Sequence, residues 1–322
     1  MGVKVLEYRR LGRTDLIVSR LCFGALTIGP LQANLDVHEG AKVIVEALNN
    51  GVNFIDTAEL YETYEYIRNA IKMFGKRDKV VIASKTYAYT KEGAEKSLKK
   101  ALNELETDYI DIFLLHEQES KYTIKGHHEA VEYFLKAKEK GYIRAFGIST
   151  HTVEAVDAAA GINEIDVIHP LVNKEGLGIQ KGTLQDMLDA IKKAYNNGKG
   201  IYAMKPLAGG NFLYNIKEAF NFLLEKPYIH SIAVGMKNTE EVTVNIKLFN
   251  GEEVSEELLE RLKKVKRRLQ ISSRCIGCGK CAERCSQKAI YIEDGKAKVI
   301  EEKCVLCCYC GRVCPDFCIK II

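Results

Sequence analysis

The first 274 residues contain a single cysteine, Cys22, although the chain has eleven. The sequence also lacks any run near the roughly 18 consecutive apolar residues that a membrane-spanning helix needs. Its opening, MGVKVLEYRR, is too charged for a secretory leader. An excess of one charge is missing as well. The 47 Lys and Arg face 43 Asp and Glu, a net charge of +4, which gives no argument for a nucleic-acid partner. No G-x-G-x-x-G string follows the first strand-like segment. The nearest candidate, GLGIQKG (176–182), has the wrong spacing and lies between a strand and a helix, which argues against an open dinucleotide-binding sheet. These absences lead to the expectation of a cytoplasmic protein, with neither membrane nor nucleic acid among its partners. In a reducing compartment the remaining cysteines are better read as metal ligands than as disulfides. At 322 residues, 47% hydrophobic and 28% charged, the chain can build a barrel of about 250 residues plus a small appendage.

What the end of the chain has in abundance is cysteine. Cys275, Cys278, Cys281 and Cys285 follow C-x2-C-x2-C-x3-C, and Cys304, Cys307, Cys310 and Cys314 repeat the pattern 29 residues later. In this iron–sulfur spacing, three thiolates of a run wrap one cubane and the fourth reaches the other cluster. The spacing assigns Cys275, Cys278, Cys281 and Cys314 to one 4Fe–4S cluster, and Cys304, Cys307, Cys310 and Cys285 to a second. The same offset sets Cys308 against Gly279 and Cys318 against Ala289, so both are read as small packing residues. Between the runs, AIYIEDGKAKVI reads as two short strands around an Asp294–Gly295 turn. The tail resembles a bacterial two-cluster ferredoxin, with Ser286 where the second run has Pro315. The other reading is a pair of four-thiolate structural zinc sites, although these usually draw paired C-x2-C knuckles.

Upstream, β-like runs alternate with amphipathic helical stretches such as KEGAEKSLKKALNELE (91–106). The strand candidates are LCFGAL (21–26), NFIDTA (53–58), VVIASKT (80–86), IDIFLLHE (110–117), IRAFGIST (143–150), VIHPLVN (167–173), IYAMKPL (201–207) and SIAVGMK (231–237). Eight strands each followed by a helix predict a (β/α)8 TIM barrel, an α/β fold whose chemistry sits at the carboxyl ends of its strands. Those ends carry Asp56 with Tyr61 just beyond, Lys85, and His116. A phenol near pKa 10 is a sluggish acid at neutral pH unless a cation stabilises its phenolate. Lys85 is the expected cation, Asp56 its anchor, and His116 a group that orients a substrate oxygen. Taken singly each has a duller explanation, such as a surface ion pair or a satisfied core histidine.

The segments YRRLGRTDLIVSRLCFGALTIG, GVNFIDTAELY, ASKT, DIFLLH, FGIS, KPLAGG and VGMKNTEEVTVN resemble the aldo-keto reductase family over residues 8 to 250. The resemblance implies a barrel closed below by an N-terminal β-hairpin, with Asp56, Tyr61, Lys85 and His116 as catalytic tetrad. It implies hydride exchange between NAD(P)H and a small carbonyl or alcohol, with the tyrosine as general acid. On the cofactor side it carries over to Gly24, Ser149, Leu207, Gly209, Gly210, Gly235, Lys237, Thr239, Glu241 and Asn245. Departures are His169 in place of a glutamine on the sixth barrel strand, Met204 in place of a stacking tyrosine on the seventh, and Thr150 in place of an asparagine. Lys237 favours NADP slightly over NAD, and no segment visibly encodes a flavin site, although flavin is a possible bridge between hydride and single electrons.

Three segments result: a barrel over 1–251, a linker helix over 252–270, and a small α+β ferredoxin-like domain over 271–322. The linker helix places Leu258, Leu262, Val265 and Leu269 on one stripe, and KKVKRR reads as its solvated face. The leading functional expectation is a reductase whose iron–sulfur clusters transfer electrons to or from a redox partner such as a ferredoxin-like protein. The alternatives are a redox-sensing nucleotide-binding barrel with little turnover, and a reductase whose clusters are only structural.

Overall fold

The computed structural model describes residues 6–263 and 267–322. Strands β1 (Tyr8–Arg10) and β2 (Ile17–Ser19) form an antiparallel hairpin. Its apolar residues Leu11, Leu16 and Val18 are buried with the barrel-interior residues Cys22, Phe54, Ile112 and Tyr202. The Arg13 amide donates to the Gly198 carbonyl at 2.9 Å, just before a barrel strand begins, so the hairpin closes the amino-terminal end of the barrel.

Eight parallel strands follow: β3 (Leu21–Gly24), β4 (Phe54–Asp56), β5 (Val81–Thr86), β6 (Ile110–Leu115), β7 (Ile143–Thr150), β8 (Val167–Pro170), β9 (Gly200–Met204) and β10 (Ser231–Gly235). They close in sequence order, β10 pairing β3. The helix Lys91–Leu105 shows why the outer layer forms. Thr90 caps it by accepting from the Gly93 amide, and Ala94, Leu98, Ala101 and Leu105 are buried on one stripe, each leucine contributing roughly 1.5–3 kcal/mol by burial. Most strands stop earlier than their apolar runs. Met204 ends β9 because Lys205 takes φ +57°, and residues 25–27 already form a 3-10 turn after Gly24. The carboxyl ends thereby become loops, as a site at that face requires.

The linker is shorter than its leucine stripe predicts. Its helix spans Glu256–Lys263, and Leu258 and Leu262 pack on Val244 of the last barrel helix. Val265 lies outside the described residues. Leu269 does not continue the helix but opens β11 (Leu269–Ile271), which pairs antiparallel with β14 (Ile319–Ile321). Backbone pairing there overrides a weak helical periodicity. Of the basic run, Arg267 is partly buried while Arg268 stays exposed. The Arg267 guanidinium reaches Glu241 at 3.3 Å and Arg268 donates to the Gln32 carbonyl at 3.3 Å.

The terminal module adds the hairpin β12 (Ile290–Glu293) and β13 (Lys296–Val299). Asp294 and Gly295 both have positive φ, +50° and +68°, as the expected tight turn demands. The module's two halves repeat in backbone as well as in cysteines. Positive φ recurs at Gly277 and Leu306, at Gly279 and Cys308, and at Lys288 and Phe317. The β11–β14 ribbon lies on the barrel mouth. Gln270 donates to the Leu31 carbonyl at 2.7 Å on one side, and on the other Gly210 (φ +97°) has no room for a Cβ, which would fall 2.7 Å from that of Ile321. Ion pairs Arg274–Glu117 at 2.5 Å and Arg312–Glu175 at 2.7 Å complete the docking.

Candidate active site

Asp56 ends β4, Lys85 lies in β5, His116 follows β6, and Tyr61 ends the 3-10 turn Glu59–Tyr61. Parallel pairing of adjacent strands brings the four together. The Lys85 ammonium is buried and donates to Asp56 Oδ2 at 2.8 Å and to the Thr57 carbonyl at 2.8 Å. It stands over the face of the Tyr61 ring, 4.8 Å from the centroid, so its hydrogen bonds go to Asp56 and Thr57. The Tyr61 hydroxyl is 3.4 Å from His116 Nε2. Burial, then the charges of Asp56 and Glu117, raise the Tyr61 phenol well above its ordinary value. The lowering expected from Lys85 does not prevail over burial in the resting site. Burial and Lys85 together hold His116 well below the usual imidazole range, so it is neutral at physiological pH.

Asp56 has a second partner that sequence reasoning missed, the buried Tyr202 of β9, whose hydroxyl donates to Oδ1 at 2.9 Å. His169 stacks on Tyr202 with ring centroids 3.8 Å apart, and its Nδ1 lies 2.6 Å from the Tyr202 carbonyl. Burial pushes its pKa down to about 4, partly opposed by Asp56. Above this floor opens a groove of about 210 Å³ whose walls include Asp56, Tyr61, Gly24, His169, Met204, Leu207, Gly209, Gly210, Gly235, Lys237, Glu241 and Asn245. Two expected cofactor residues do not face it. Ser149 is fully buried and accepts from the Glu117 amide at 2.9 Å, and Thr239 opens the last barrel helix with its hydroxyl turned to Glu240. Residues not expected there complete the wall: Lys205 from the barrel, Arg267 from the linker, and Lys320 and Ile321 from β14. The signal for Lys205 and Glu117 was local, since both follow a strand end directly; Lys320 had none.

The cysteines gather in two cavities. Cys275, Cys278, Cys281 and Cys314 line one, and Cys285, Cys304, Cys307 and Cys310 line the other. Each fourth cysteine thus comes from the opposite run, and β11–β14 with the short helices Lys280–Arg284 and Tyr309–Arg312 positions the set. Backbone amides point at the sulfurs: Ala297 to Cys275 at 3.4 Å, Ala289 to Cys285 at 3.3 Å and Cys318 to Cys314 at 3.2 Å. Cys308 and Cys318 are also buried at these cavities. Arg274, beside Cys275, pairs with Glu117, which follows His116 and accepts from the Tyr87 hydroxyl at 2.6 Å.

The model of the aldo/keto reductase family matches residues 20–219, and that of the 4Fe-4S binding domain matches residues 270–291. The chain belongs to the aldo/keto reductase family. It is 25% identical over 302 residues to the uncharacterized oxidoreductase YqkF of Bacillus subtilis, covering 80% of this chain and 95% of that one. The aldo-keto reductase YhdN of the same organism is 31% identical over 186 residues, 52% of this chain and 54% of the relative. A crystal structure of a putative aldo-keto reductase from Pseudomonas aeruginosa superposes with a TM-score of 0.66 at 26% identity, over 77% of this chain and 96% of that one. This aldo/keto reductase is therefore an oxidoreductase with an iron–sulfur binding domain appended to the barrel. No helix among its described residues is long and apolar enough to cross a membrane.

Proposed function

We propose that the chain interconverts a small carbonyl and its alcohol with NAD(P)H at the groove beside Tyr61, and that two 4Fe–4S clusters in the cysteine cavities exchange electrons between that site and a redox partner. The observation that carries this reading is the contact chain joining the two halves. Tyr61 meets His116, Glu117 next to it meets Arg274, and Arg274 adjoins Cys275. What supports a cluster over a lone ion is the ligand pattern, three sulfurs from one triple-spaced run and a fourth from the other in each cavity, with backbone amides aimed at three of the eight sulfurs. When bound, the nicotinamide supplies or accepts a hydride and the clusters pass single electrons.

The chain's own residues handle the proton and the geometry. With its phenol raised, Tyr61 rests neutral and able to give its proton to a substrate oxygen in the groove. Neutral His116 takes a hydrogen-bonding position beside that oxygen, since its Nε2 lies near the Tyr61 hydroxyl. As charge builds on the phenol, Lys85 over the ring face offsets it, and Asp56 with Tyr202 holds Lys85 in place. Arg267 and Lys237, which both meet Glu241 in the groove wall, support NADP over NAD. The test is turnover of a carbonyl panel with NADPH and NADH, on anaerobic protein with reconstituted clusters. Tyr61→Phe should cut turnover by about 10² to 10⁴ with little change in cofactor affinity. Full activity in that variant would remove the tetrad assignment. Reduction driven by a viologen should occur only in cluster-loaded protein, and an equal rate without clusters would make them structural.

A further inference from the structure

Barrels of this kind commonly hold a cofactor phosphate on loop amides after a late strand. Here that loop is differently committed. The amides of Ala208 and Gly210 donate within the loop at 2.9 Å each, to Lys205 and Leu207, and those of Asn211 and Phe212 do likewise at 3.4 and 3.3 Å. The Cα faces of the glycines are taken too, Gly210 by Ile321 and Gly209 by Lys320 and Phe317 at 3.3 Å from a built Cβ. The two glycines thus admit the module's last strand. With four of the loop's amides committed within it, anion recognition in this groove draws on side chains as well.

The groove has such side chains, unevenly paired. Lys205, Lys237, Arg267 and Lys320 line it together. Arg267 is paired with Glu241, and Lys205 lies 3.0 Å from His151 Nε2. Lys320, a largely buried lysine of the groove wall whose ammonium is held below its ordinary value by burial and then by Arg274, has neither a side-chain hydrogen bond nor an ion pair among the described residues. Burial first, and then the nearby Lys320, hold the Lys205 ammonium well below its ordinary value. Two like charges on one wall repel, and an anion between them removes the repulsion. Lys205 is moreover held at φ +57°, a conformation that costs on the order of 1 kcal/mol or more and clusters at ligand sites.

We propose that Lys320 of the iron–sulfur module and Lys205 of the barrel jointly bind the phosphate of a nucleotide cofactor, so that the cofactor site is bipartite and the barrel alone holds half of it. The inference deepens the nucleotide reading above and rests on it. Because a ligand that binds only the docked arrangement stabilises that arrangement, the cofactor also fastens the module to the barrel.

The test is equilibrium titration of the full-length, cluster-loaded protein with NADPH, NADH and FMN, followed by fluorescence and calorimetry, with iron content as the check on folding. The three nucleotides distinguish the possible sources of the phosphate. Lys320→Met should weaken whichever nucleotide binds wild type by about ten- to a hundredfold, the loss expected of one charge-assisted hydrogen bond. Lys320→Arg should restore most of it. Inorganic pyrophosphate should compete in wild type and lose that ability in Lys320→Met. Lys205→Gln, on the other side of the site, should weaken binding similarly, and gives the answer if Lys320→Met fails to take up iron. Wild-type affinity in Lys320→Met, or in Lys205→Gln, overturns the bipartite site and leaves the nucleotide reading standing. Failure of wild type to bind any of the three overturns both.

Discussion

Replacing Cys314 by alanine separates crossed from run-by-run cluster ligation. Cys314 belongs to the second cysteine run, yet its sulfur shares a cavity with Cys275, Cys278 and Cys281. The expected holo-protein holds about eight iron atoms, four to each cubane. Crossed ligation predicts that Cys314→Ala leaves about four, and that Cys275→Ala leaves about four as well. The decisive variant is the double one. Two ligands of one cluster cannot lose it twice, so Cys275→Ala/Cys314→Ala should still hold about four, whereas Cys310→Ala/Cys314→Ala strikes both cavities and should hold close to none. Iron and labile sulfide are measured after anaerobic reconstitution, with low-temperature electron paramagnetic resonance of the reduced protein to show which signal survives. Cluster ligation is coupled to folding, so the double variants also need circular dichroism to show that the barrel persists. About four irons in Cys310→Ala/Cys314→Ala with none in Cys275→Ala/Cys314→Ala would show run-by-run ligation. Zinc in place of iron would remove the electron-transfer reading altogether.

Lys85→Met should lower thermal stability as well as turnover, because it strands the buried Asp56 carboxylate, a loss of about 3–5 kcal/mol; Tyr61→Phe should lower turnover alone, and calorimetry against kinetics separates the two. Arg274→Ala should loosen the module's grip by about 1 kcal/mol, since the pair with Glu117 is partly exposed, and amide exchange at residues 208–210 should rise about fivefold with iron content unchanged. Stability should fall as pH drops from 6.5 towards 4. His169 and His230 are both held down to about 4 by burial, so the unfolded chain takes up protons that the native one refuses, at up to on the order of 3 kcal/mol per histidine. His169→Gln should flatten that slope in urea titrations, and an unchanged slope would mean that His169 is not held neutral.

The barrel was legible because its signal is repeated eight times. Runs such as IRAFGIST map onto a strand over the same residues, 143–150, and the Asp294–Gly295 turn lies where its composition places it. Strand ends were less legible: after Pro170 the apolar run is reduced to a single bridge from Leu171 to Met204, and KPL after Met204 leaves the sheet. The linker misled for a related reason. Leu258 and Leu262 obey helical spacing and pack on the barrel, but Leu269 fits the same spacing by chance and is claimed by β14, a pairing partner 50 residues away that no local pattern announces. Arg267 followed suit, because a basic run reads as solvated until its acidic partner, Glu241, is placed beside it.

The site divides along the same line. Asp56, Tyr61, Lys85 and His116 each stand at or just past a strand end, and parallel register alone brings them within reach of one another, so position in a barrel pattern was sufficient evidence for the group. It was not sufficient for their electrostatics. Whether Lys85 lowers the Tyr61 phenol depends on where the ammonium points, and it points to Asp56 and Thr57. The Tyr61 phenol is thus held protonated in the resting site, the state the proposed proton donor needs. The glycines of KPLAGG teach the complementary lesson. A glycine reports that something approaches the backbone closely, without reporting what. In this chain it is Ile321 and Lys320 that approach, and the anion-binding task expected of the loop passes to a lysine more than a hundred residues further along the chain.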